Sequence, residues 1–314
     1  MSTLKGPEIW QTIFVPKLHE LYRKEVPSTK RFEKLIDKLG GKITLDHGAT
    51  RTADRELYEL LTRIGAAFGL EPKASYEFPE KHLTAIAMDL PDGSGFKWFS
   101  TLILYRELSD KLVQAVEEDM ERSKHHLSSK GKELLEKLEQ DKSLNRKEAD
   151  ALCEILVNEF FHRQGKPLKK ATLEMVIKES NELANALLMG PQFNHVAYLL
   201  NELDIKDWYG AEVIQVLNDT MERAGFTMLP AVQGKPGGIL RQTSTMADRL
   251  SFKLDDNGKT VTIDHPAMFL EFIQRGAEQD KDGKTLFDKH GKIKRFQGFL
   301  ATNTVKLYDS TKVS

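Results

Sequence analysis

The sequence predicts an α+β protein in which two β-α-β-β-β modules form a half-open barrel, with a helical insertion between them. Strand-like and helix-like segments follow each other in the same order twice, which indicates an internal structural repeat. The segment between the copies is dense in Glu, Lys and Leu at helical spacing. The predicted domains are residues 1–106 (N-terminal helices and first module), 107–187 (helical insertion) and 188–314 (second module and closing helix).

The composition excludes several functional classes. The chain has 314 residues, of which 40% are hydrophobic and 30% charged, enough for a large core. With 46 Lys+Arg and 47 Asp+Glu the net charge is -1, so the charge balance does not favour a nucleic acid or an acidic membrane surface as partner. The single cysteine, Cys153, and the lack of an apolar signal or membrane-spanning stretch lead us to expect a cytoplasmic protein. The oligomeric state stays open, and a homodimer is compatible with the sequence.

The first module follows a helical N-terminal segment. Apolar side chains recur at helical spacing in the first 40 residues, and Gly40-Gly41 ends that segment. We then expect a strand at 42–47 and a helix that has Thr52 as its N-cap and ends at Gly69. Three strands are expected next, separated by Pro79 and by a Gly-rich turn: 74–78, 82–90 and 96–105.

The second module repeats this order after the insertion. In residues 107–187 we expect helices and no convincing strand, and the charge run from Glu117 to Lys137 is typical of a solvated helix face. The turn Asp255–Gly258 predicts a hairpin. The expected elements of the second module are a strand at 192–200, a helix at 208–224, and strands at 226–232, 238–245, 249–254, 261–263 and 267–275.

Three residues in these modules could carry chemistry. His47 ends the first strand of one module and His195 lies in the first strand of the other, so the repeat places them at equivalent positions. Glu271 lies midway along an apolar strand, where a carboxylate has to be paired, hydrogen-bonded or metal-bound. The alternative to a role of Glu271 in metal binding is a salt bridge to Arg241 or Arg249. Two imidazoles and one carboxylate form the facial ligand set of non-haem Fe(II) oxygenases, and the same set also suits zinc.

Several motifs resemble known 2-oxo acid oxygenases. The strand Phe269–Arg275 resembles the last metal-ligand strand of 4-hydroxyphenylpyruvate dioxygenase and hydroxymandelate synthase, and 298–308 resembles their closing helix. The elements His47–Arg51, Asn194-His195 and Leu240–Ser244 are closer to the 2-oxoadipate dioxygenase/decarboxylase family, also called 2-hydroxyglutarate synthase. The resemblance covers roughly residues 10–310 and the order and spacing of its motifs are its specific part. These enzymes belong to the vicinal oxygen chelate superfamily, which is built from paired β-α-β-β-β modules.

The resemblance implies a ligand set of His47, His195 and Glu271 for Fe(II), with Arg51 as the anchor for a substrate carboxylate. Arg51 shares a face with His47, and its guanidinium offers a bidentate fork to a carboxylate. The alternative for Arg51 is a surface ion pair with Asp54 or Glu56.

The implied reaction uses a 2-oxo dicarboxylic acid and O2. It converts 2-oxoadipate to 2-hydroxyglutarate and CO2 by oxidative decarboxylation and hydroxylation of the same molecule. Gln242 and Ser244 alternate onto one face of their strand and could hydrogen-bond the substrate. Leu300 and Thr302 replace small residues in the closing helix of 4-hydroxyphenylpyruvate dioxygenase and hydroxymandelate synthase. We therefore expect this helix, the lid of the site, to have a different shape here. Two other functions stay open: a zinc- or nickel-dependent isomerase or lyase of the glyoxalase kind, and a metal-free binding protein.

Overall fold

A mixed sheet organises the chain in the computed structural model, which describes residues 3–206, 208, 212–288 and 290–300. Within these residues nine strands form one sheet in the order β3-β4-β5-β2-β8-β11-β10-β7, and β9 pairs with β11 off this path. A separate two-stranded sheet pairs β1 with β6. The predicted α+β class is confirmed, and the sheet path runs from β3 at one end to β7 at the other, so the described strands do not close into a barrel.

The elements have the following bounds. The strands are β1 Thr3–Lys5, β2 Leu45–Thr52, β3 Glu71–Phe78, β4 Leu83–Asp89, β5 Lys97–Ile103, β6 Ser143–Asn145, β7 Leu168–Lys169, β8 Phe193–Leu199, β9 Leu240–Ser244, β10 Asp248–Asp256 and β11 Lys259–Arg275. The helices are α1 Gly6–Ile9, α2 Val15–Glu25, α3 Pro27–Lys38, α4 Arg55–Ala67, α5 Asp110–Arg122, α6 Ser129–Asp141, α7 Arg146–Ile155, α8 Lys170–Val176, α9 Asn181–Met189 and α10 Val213–Arg223. Five short helical turns complete the described structure: Trp10–Phe14 and Leu156–Phe160 are π-helical, and Pro79–Lys81, Tyr105–Glu107 and Leu200–Glu202 are 3-10 helical.

The first module is centred on β2. This strand runs parallel to β5, and β4 and β3 follow antiparallel at the sheet end. The strand expected at 42–47 is found at Leu45–Thr52, so the N-cap predicted at Thr52 is wrong. Asp54 caps α4 instead, because its side chain accepts hydrogen bonds from the backbone N–H groups of Glu56 and Leu57.

The second module repeats the central pairing of the first. Strand β8 runs antiparallel to β2 and parallel to β11, and β9 and β10 pair antiparallel with β11. The hairpin between β10 and β11 turns at Asn257 and Gly258, which have φ values of 52° and 85°, as the predicted turn requires. The strands expected separately at 261–263 and 267–275 are one continuous strand, β11. Pro266 is accommodated there because it lies beside a register shift of the β10–β11 pair.

The strand expected at 226–232 is not formed. An isolated bridge joins Met228 to Thr245, with backbone hydrogen bonds from Leu229 N–H to the Ser244 oxygen and from Met246 N–H to the Thr227 oxygen. Pro230 has no N–H group to continue the ladder, which accounts for the loss of regular pairing.

The insertion is mainly helical but also contributes strands. Helices α5 to α9 fill it, while β6 pairs with β1 and β7 pairs with β10, so the expectation of no strand there is wrong. These strands of three and two residues are too short to show a period-2 pattern. The last helix, α9, packs on β2, and its Leu183 and Leu187 share an apolar cluster with Ala49. None of the helices in the described part of the chain has the length and apolar character needed to cross a bilayer.

Candidate metal centre

Strand register brings the three predicted ligands to one face of the sheet. His47 on β2 and Glu271 on β11 are both register partners of Ala197 on β8, which lies between them. His195 precedes Ala197 by two residues and therefore points to the same side. Because Ala197 carries only a methyl group, the larger side chains on either side of it can converge above it.

The converging atoms lie within ligand distance of a common centre. Glu271 Oε2 is 3.4 Å from His47 Nε2 and 3.2 Å from His195 Nε2. One potential ligand atom from each residue lies within 4.8 Å of the others. His47, His195 and Glu271 are 3%, 7% and 1% exposed, so the cluster is buried. In the described part of the chain this is the one group of three or more His, Cys, Asp or Glu residues with such geometry.

Each imidazole is oriented by the residue before it. His47 Nδ1 lies 2.8 Å from Asp46 Oδ2, and His195 Nδ1 lies 2.8 Å from Asn194 Oδ1. Since both partners accept hydrogen bonds, each Nδ1 carries the hydrogen and each Nε2 is left to face the centre. Glu271 Oε2 is buried and accepts no hydrogen bond from the described residues. Three electron-pair donors therefore meet without a shared hydrogen bond, an arrangement that fits a cation.

Charges around the centre set the protonation of its residues. Burial opposes ionisation of Asp46, but the charges of Arg275 and His47 outweigh burial and hold the pKa of Asp46 well below its usual range. Nε and Nη2 of Arg275 each lie 2.7 Å from a carboxylate oxygen of Asp46. Burial also lowers the pKa of His47, but Glu271 and Asp46 outweigh it, so that pKa is raised. The pKa of His195 is well below its ordinary value because of burial and the nearby charges of His47 and Arg51.

Arg51 lies in the interior beside this centre. It is 4% exposed and follows His47 and Ala49 on the same face of β2. Its charge acts on His195, as the lowered pKa of that residue indicates. The alternative of a surface ion pair with Asp54 or Glu56 does not fit this burial, and the Asp54 side chain caps α4.

Gln242 and Ser244 face the same side as the carboxylate. Ser244 is the register partner of Glu271, and Gln242 is the partner of Ile273 two residues further along. Gln242 is 1% exposed, and its Oε1 has no hydrogen-bond partner in the described structure. The structure thus brings both substrate-binding candidates onto the face that carries Glu271.

The arginines considered as partners of Glu271 are engaged elsewhere. Arg241 Nη1 lies 2.7 Å from Glu212 Oε2, on the opposite face of β9. Arg249 Nη2 donates to the backbone oxygen of Asp264 at 2.7 Å. The groups near Glu271 Oε2 are the two imidazoles rather than either guanidinium.

Sequence reasoning missed the residues that support the candidate ligands. Arg275 holds Asp46 and also donates to the backbone oxygens of Phe296 and Gly298, which fixes the start of the C-terminal segment. The ring of Phe299 packs edge-on against His47, with centroids 4.8 Å apart. The signal that could have found part of this set is the Asp or Asn directly before each strand histidine. Of the expected closing helix at 298–308, only residues 298–300 lie within the described structure.

Known proteins match the chain over most of its length. The sequence model of the 2-oxoadipate dioxygenase/decarboxylase family matches residues 14–298. The chloroplastic 2-oxoadipate dioxygenase/decarboxylase of Arabidopsis thaliana is 26% identical over 310 residues, covering 94% of this chain and 76% of that protein. The 2-oxoadipate dioxygenase/decarboxylase of Pseudomonas putida is 23% identical over 279 residues, covering 84% of this chain and 56% of that protein.

Solved structures share the fold. A protein from Ralstonia eutropha assigned to the glyoxalase superfamily is 25% identical, with a TM-score of 0.77, covering 87% of this chain and 84% of that one. The hydroxyglutarate synthase of Oryza sativa, solved in complex with 2-oxoadipate, is 21% identical, with a TM-score of 0.71, covering 98% of this chain and 93% of that one. The arrangement of strands around the buried His-His-Glu cluster therefore belongs to a fold seen in these two proteins.

Proposed function

Because the chain belongs to the 2-oxoadipate dioxygenase/decarboxylase family, we propose that it catalyses the Fe(II)-dependent conversion of 2-oxoadipate and O2 to 2-hydroxyglutarate and CO2. One oxygen atom enters the new carboxyl group and the other enters the hydroxyl group, so the reaction balances without a second organic co-substrate. The observation that carries this proposal is the buried convergence of His47, His195 and Glu271 on one point.

The donor set fits a divalent cation with open positions. The two imidazole nitrogens and the carboxylate oxygen would hold the ion and would leave its other positions open to a 2-oxo acid and O2. Bound Fe(II) would supply the redox chemistry that lets O2 react with a 2-oxo acid. Asp46 and Asn194 keep the two Nδ1 atoms protonated, so that both Nε2 atoms are available as ligands.

The remaining residues bind and orient the substrate. The Arg51 guanidinium donates two parallel hydrogen bonds to the distal carboxylate of 2-oxoadipate, which leaves the 2-oxo end facing the metal centre. The Gln242 side chain, whose Oε1 is buried without a partner in the described structure, and Ser244 orient the near end beside Glu271. The Phe299 ring on His47 excludes water from one side of the centre.

An oxygen electrode tests the reaction directly. Protein loaded anaerobically with Fe(II) and mixed with 2-oxoadipate should consume O2 on aeration and release CO2 and 2-hydroxyglutarate in a 1:1:1 ratio. Glu271→Gln removes a charged ligand, so this variant should lose both the bound iron and the oxygen uptake. An iron-loaded wild-type protein that consumes no O2 contradicts the proposal, and turnover of a zinc-loaded protein without O2 would favour an isomerase or lyase.

Arg51→Ala tests the role assigned to the guanidinium. Truncating one partner of a buried charge pair costs about 2 kcal/mol or more, which corresponds to at least roughly a 30-fold loss. We expect kcat/KM for 2-oxoadipate to fall by that factor, while kcat/KM for 2-oxohexanoate, which has no distal carboxylate, changes much less. The iron content of the variant should stay that of the wild type. An equal loss for both acids would contradict the assignment.

A further inference from the structure

We propose that Asn185, in the last helix of the insertion, donates a hydrogen bond to the distal carboxylate of the substrate beside Arg51. The inference rests on the proposed function and extends it, because it makes the insertion part of the substrate pocket. Asn185 would then be a residue that selects dicarboxylic over monocarboxylic 2-oxo acids.

Helix α9 is placed to supply such a group. It is capped by Ser180, whose Oγ accepts a hydrogen bond from the backbone N–H of Leu183 at 3.2 Å. Every residue from Glu182 to Met189 is buried, and the helix packs on β2, the strand of His47 and Arg51. Its Leu183 and Leu187 are held in the apolar cluster that includes Ala49, so the helix lies on the ligand-bearing face of β2.

Asn185 is a polar side chain without a partner in this setting. It is 1% exposed, and neither its Nδ2 nor its Oδ1 has a hydrogen-bond partner in the described structure. A buried amide without hydrogen-bond partners destabilises the folded state, and asparagine is also less favourable than leucine inside a helix. Stability therefore does not account for an asparagine here, whereas a ligand that uses the amide does.

Asn185 and Arg51 border one recess of the structure. Both residues line a narrow recess together with Gln192 and Asn194, and Asn194 is the partner of the ligand His195. The recess has no room for a water molecule in this structure, so a carboxylate enters only if α9 or the Arg51 side chain moves. A carboxylate has more acceptor sites than one guanidinium fork fills, and Nδ2 of Asn185 adds a donor without adding charge.

The experiment compares two substrates in Asn185→Leu. A lost hydrogen bond to a charged group costs about 1.5–3 kcal/mol, which is roughly a 10- to 150-fold change. We expect kcat/KM for 2-oxoadipate to fall by that factor and kcat/KM for 2-oxohexanoate to stay the same. The iron content should not change, and the Tm should stay the same or rise, because the variant removes two unsatisfied buried groups. Asn185→Asp places a second negative charge beside the carboxylate and should be more damaging for 2-oxoadipate than Asn185→Leu.

Asn218→Leu is the matched control. Asn218 is also a buried helix asparagine, but it donates to Glu222 and accepts from Thr243. This variant should lower the Tm and affect both substrates alike. If Asn185→Leu behaves in the same way, or if it leaves both substrates unaffected, the inference is overturned.

A binding experiment distinguishes failure of the proposed reaction from failure of the inference about Asn185. If the wild-type protein turns over no 2-oxo acid, anaerobic calorimetry of the iron-loaded protein compares the binding of the same two acids. The inference is supported if the wild type binds 2-oxoadipate more tightly than 2-oxohexanoate and Asn185→Leu loses this preference. Equal binding of both acids by the wild type, or binding of neither, overturns it.

Discussion

Each histidine of the proposed metal centre is held by the residue directly before it in the strand. Asp46 accepts from His47 and Asn194 accepts from His195, in both cases at 2.8 Å. The two supports differ in charge, and Arg275 neutralises the carboxylate of Asp46 through two contacts of 2.7 Å. The orientation of both imidazoles is therefore set before any metal binds, which lowers the cost of ordering the ligands.

At this scale we predict that Asn194→Leu weakens metal binding. The variant removes the acceptor that fixes the His195 tautomer, and loss of such a support typically costs 10- to 100-fold in metal affinity. Competition with a fluorescent chelator under anaerobic conditions measures the change. Asn194→Asp keeps an acceptor at this position and should retain more of the affinity. Wild-type affinity in Asn194→Leu would show that Asn194 does not position His195.

At the scale of elements, β2 is fixed by contacts on both of its faces. The face of His47 and Arg51 is covered by α9, while Gly48 lies against aromatic rings on the other side. A Cβ atom added at Gly48 would lie 2.7 Å from Phe193 Cδ1 and 2.7 Å from Phe96 Cζ. Thr50, next on this face, accepts a hydrogen bond of 2.9 Å from Trp98 Nε1. The position of His47 relative to β8 thus depends on the absence of a side chain at Gly48.

We predict that Gly48→Ala destabilises the protein and disturbs the metal centre together. Overpacking of a buried site costs typically about 1–3 kcal/mol, and relief of the contact moves β2 away from the rings. Urea denaturation should show the lower free energy of unfolding, and chelator competition should show weaker metal binding.

Gly65→Ala is a useful comparison for this variant. Gly65 lies in helix α4, and its added methyl group meets chiefly the flexible end of Met88 on β4, at 3.1 and 3.2 Å. Alanine is also the better helix former. The effects of Gly65→Ala should be smaller on both measurements. A Gly48→Ala protein as stable as Gly65→Ala would contradict the packing argument.

At the scale of the whole molecule, buried neutral histidines couple folding to pH. Burial, together with the charge of Arg163, lowers the pKa of His125 to about 4, and burial with Arg249 lowers that of His265 to about 4. His195 is shifted in the same direction. The raised pKa of His47 acts in the opposite sense, so its contribution is present in acid and lost as the pH rises.

We predict that the metal-free protein loses stability between about pH 6.5 and pH 4. In this range an unfolded histidine, with a pKa near 6.5, binds a proton that the folded residue does not, so unfolding is favoured as the pH falls. Each such histidine lowers the free energy of unfolding by up to about 1.4 kcal/mol for every pH unit of acidification in this range. Urea denaturation in the presence of a chelator, at several pH values, measures the slope.

His265→Gln isolates one contribution to this dependence. The variant removes a titrating group that lies away from the metal centre and should make the slope shallower over the same pH range. A stability that does not change between pH 6.5 and pH 4.5 would contradict the assignment of these histidines as neutral in the folded protein.

Local signals allowed much of the fold to be predicted. The hairpin at Asn257-Gly258, the helix that ends near Gly69 and the apolar strand around Glu271 are each specified by a few neighbouring residues. The strand expected at 226–232 failed because a single Pro230 removes a ladder hydrogen bond, and β6 and β7 were missed because they are too short to show a pattern. The N-cap moved from Thr52 to Asp54 because strand β2 extends through Thr52.

The sequence alone determined most of the element order and the repeated module, since turn chemistry and side-chain periodicity act over short stretches of chain. It also determined the choice of His47, His195 and Glu271 as candidates. Tertiary structure decided which atoms meet. The shared register partner Ala197, the Asp46–Arg275 pair and the burial of Asn185 against β2 all depend on strand pairing and helix packing between distant segments. Contacts of this kind leave no periodic trace in the sequence, because each involves one residue from each segment.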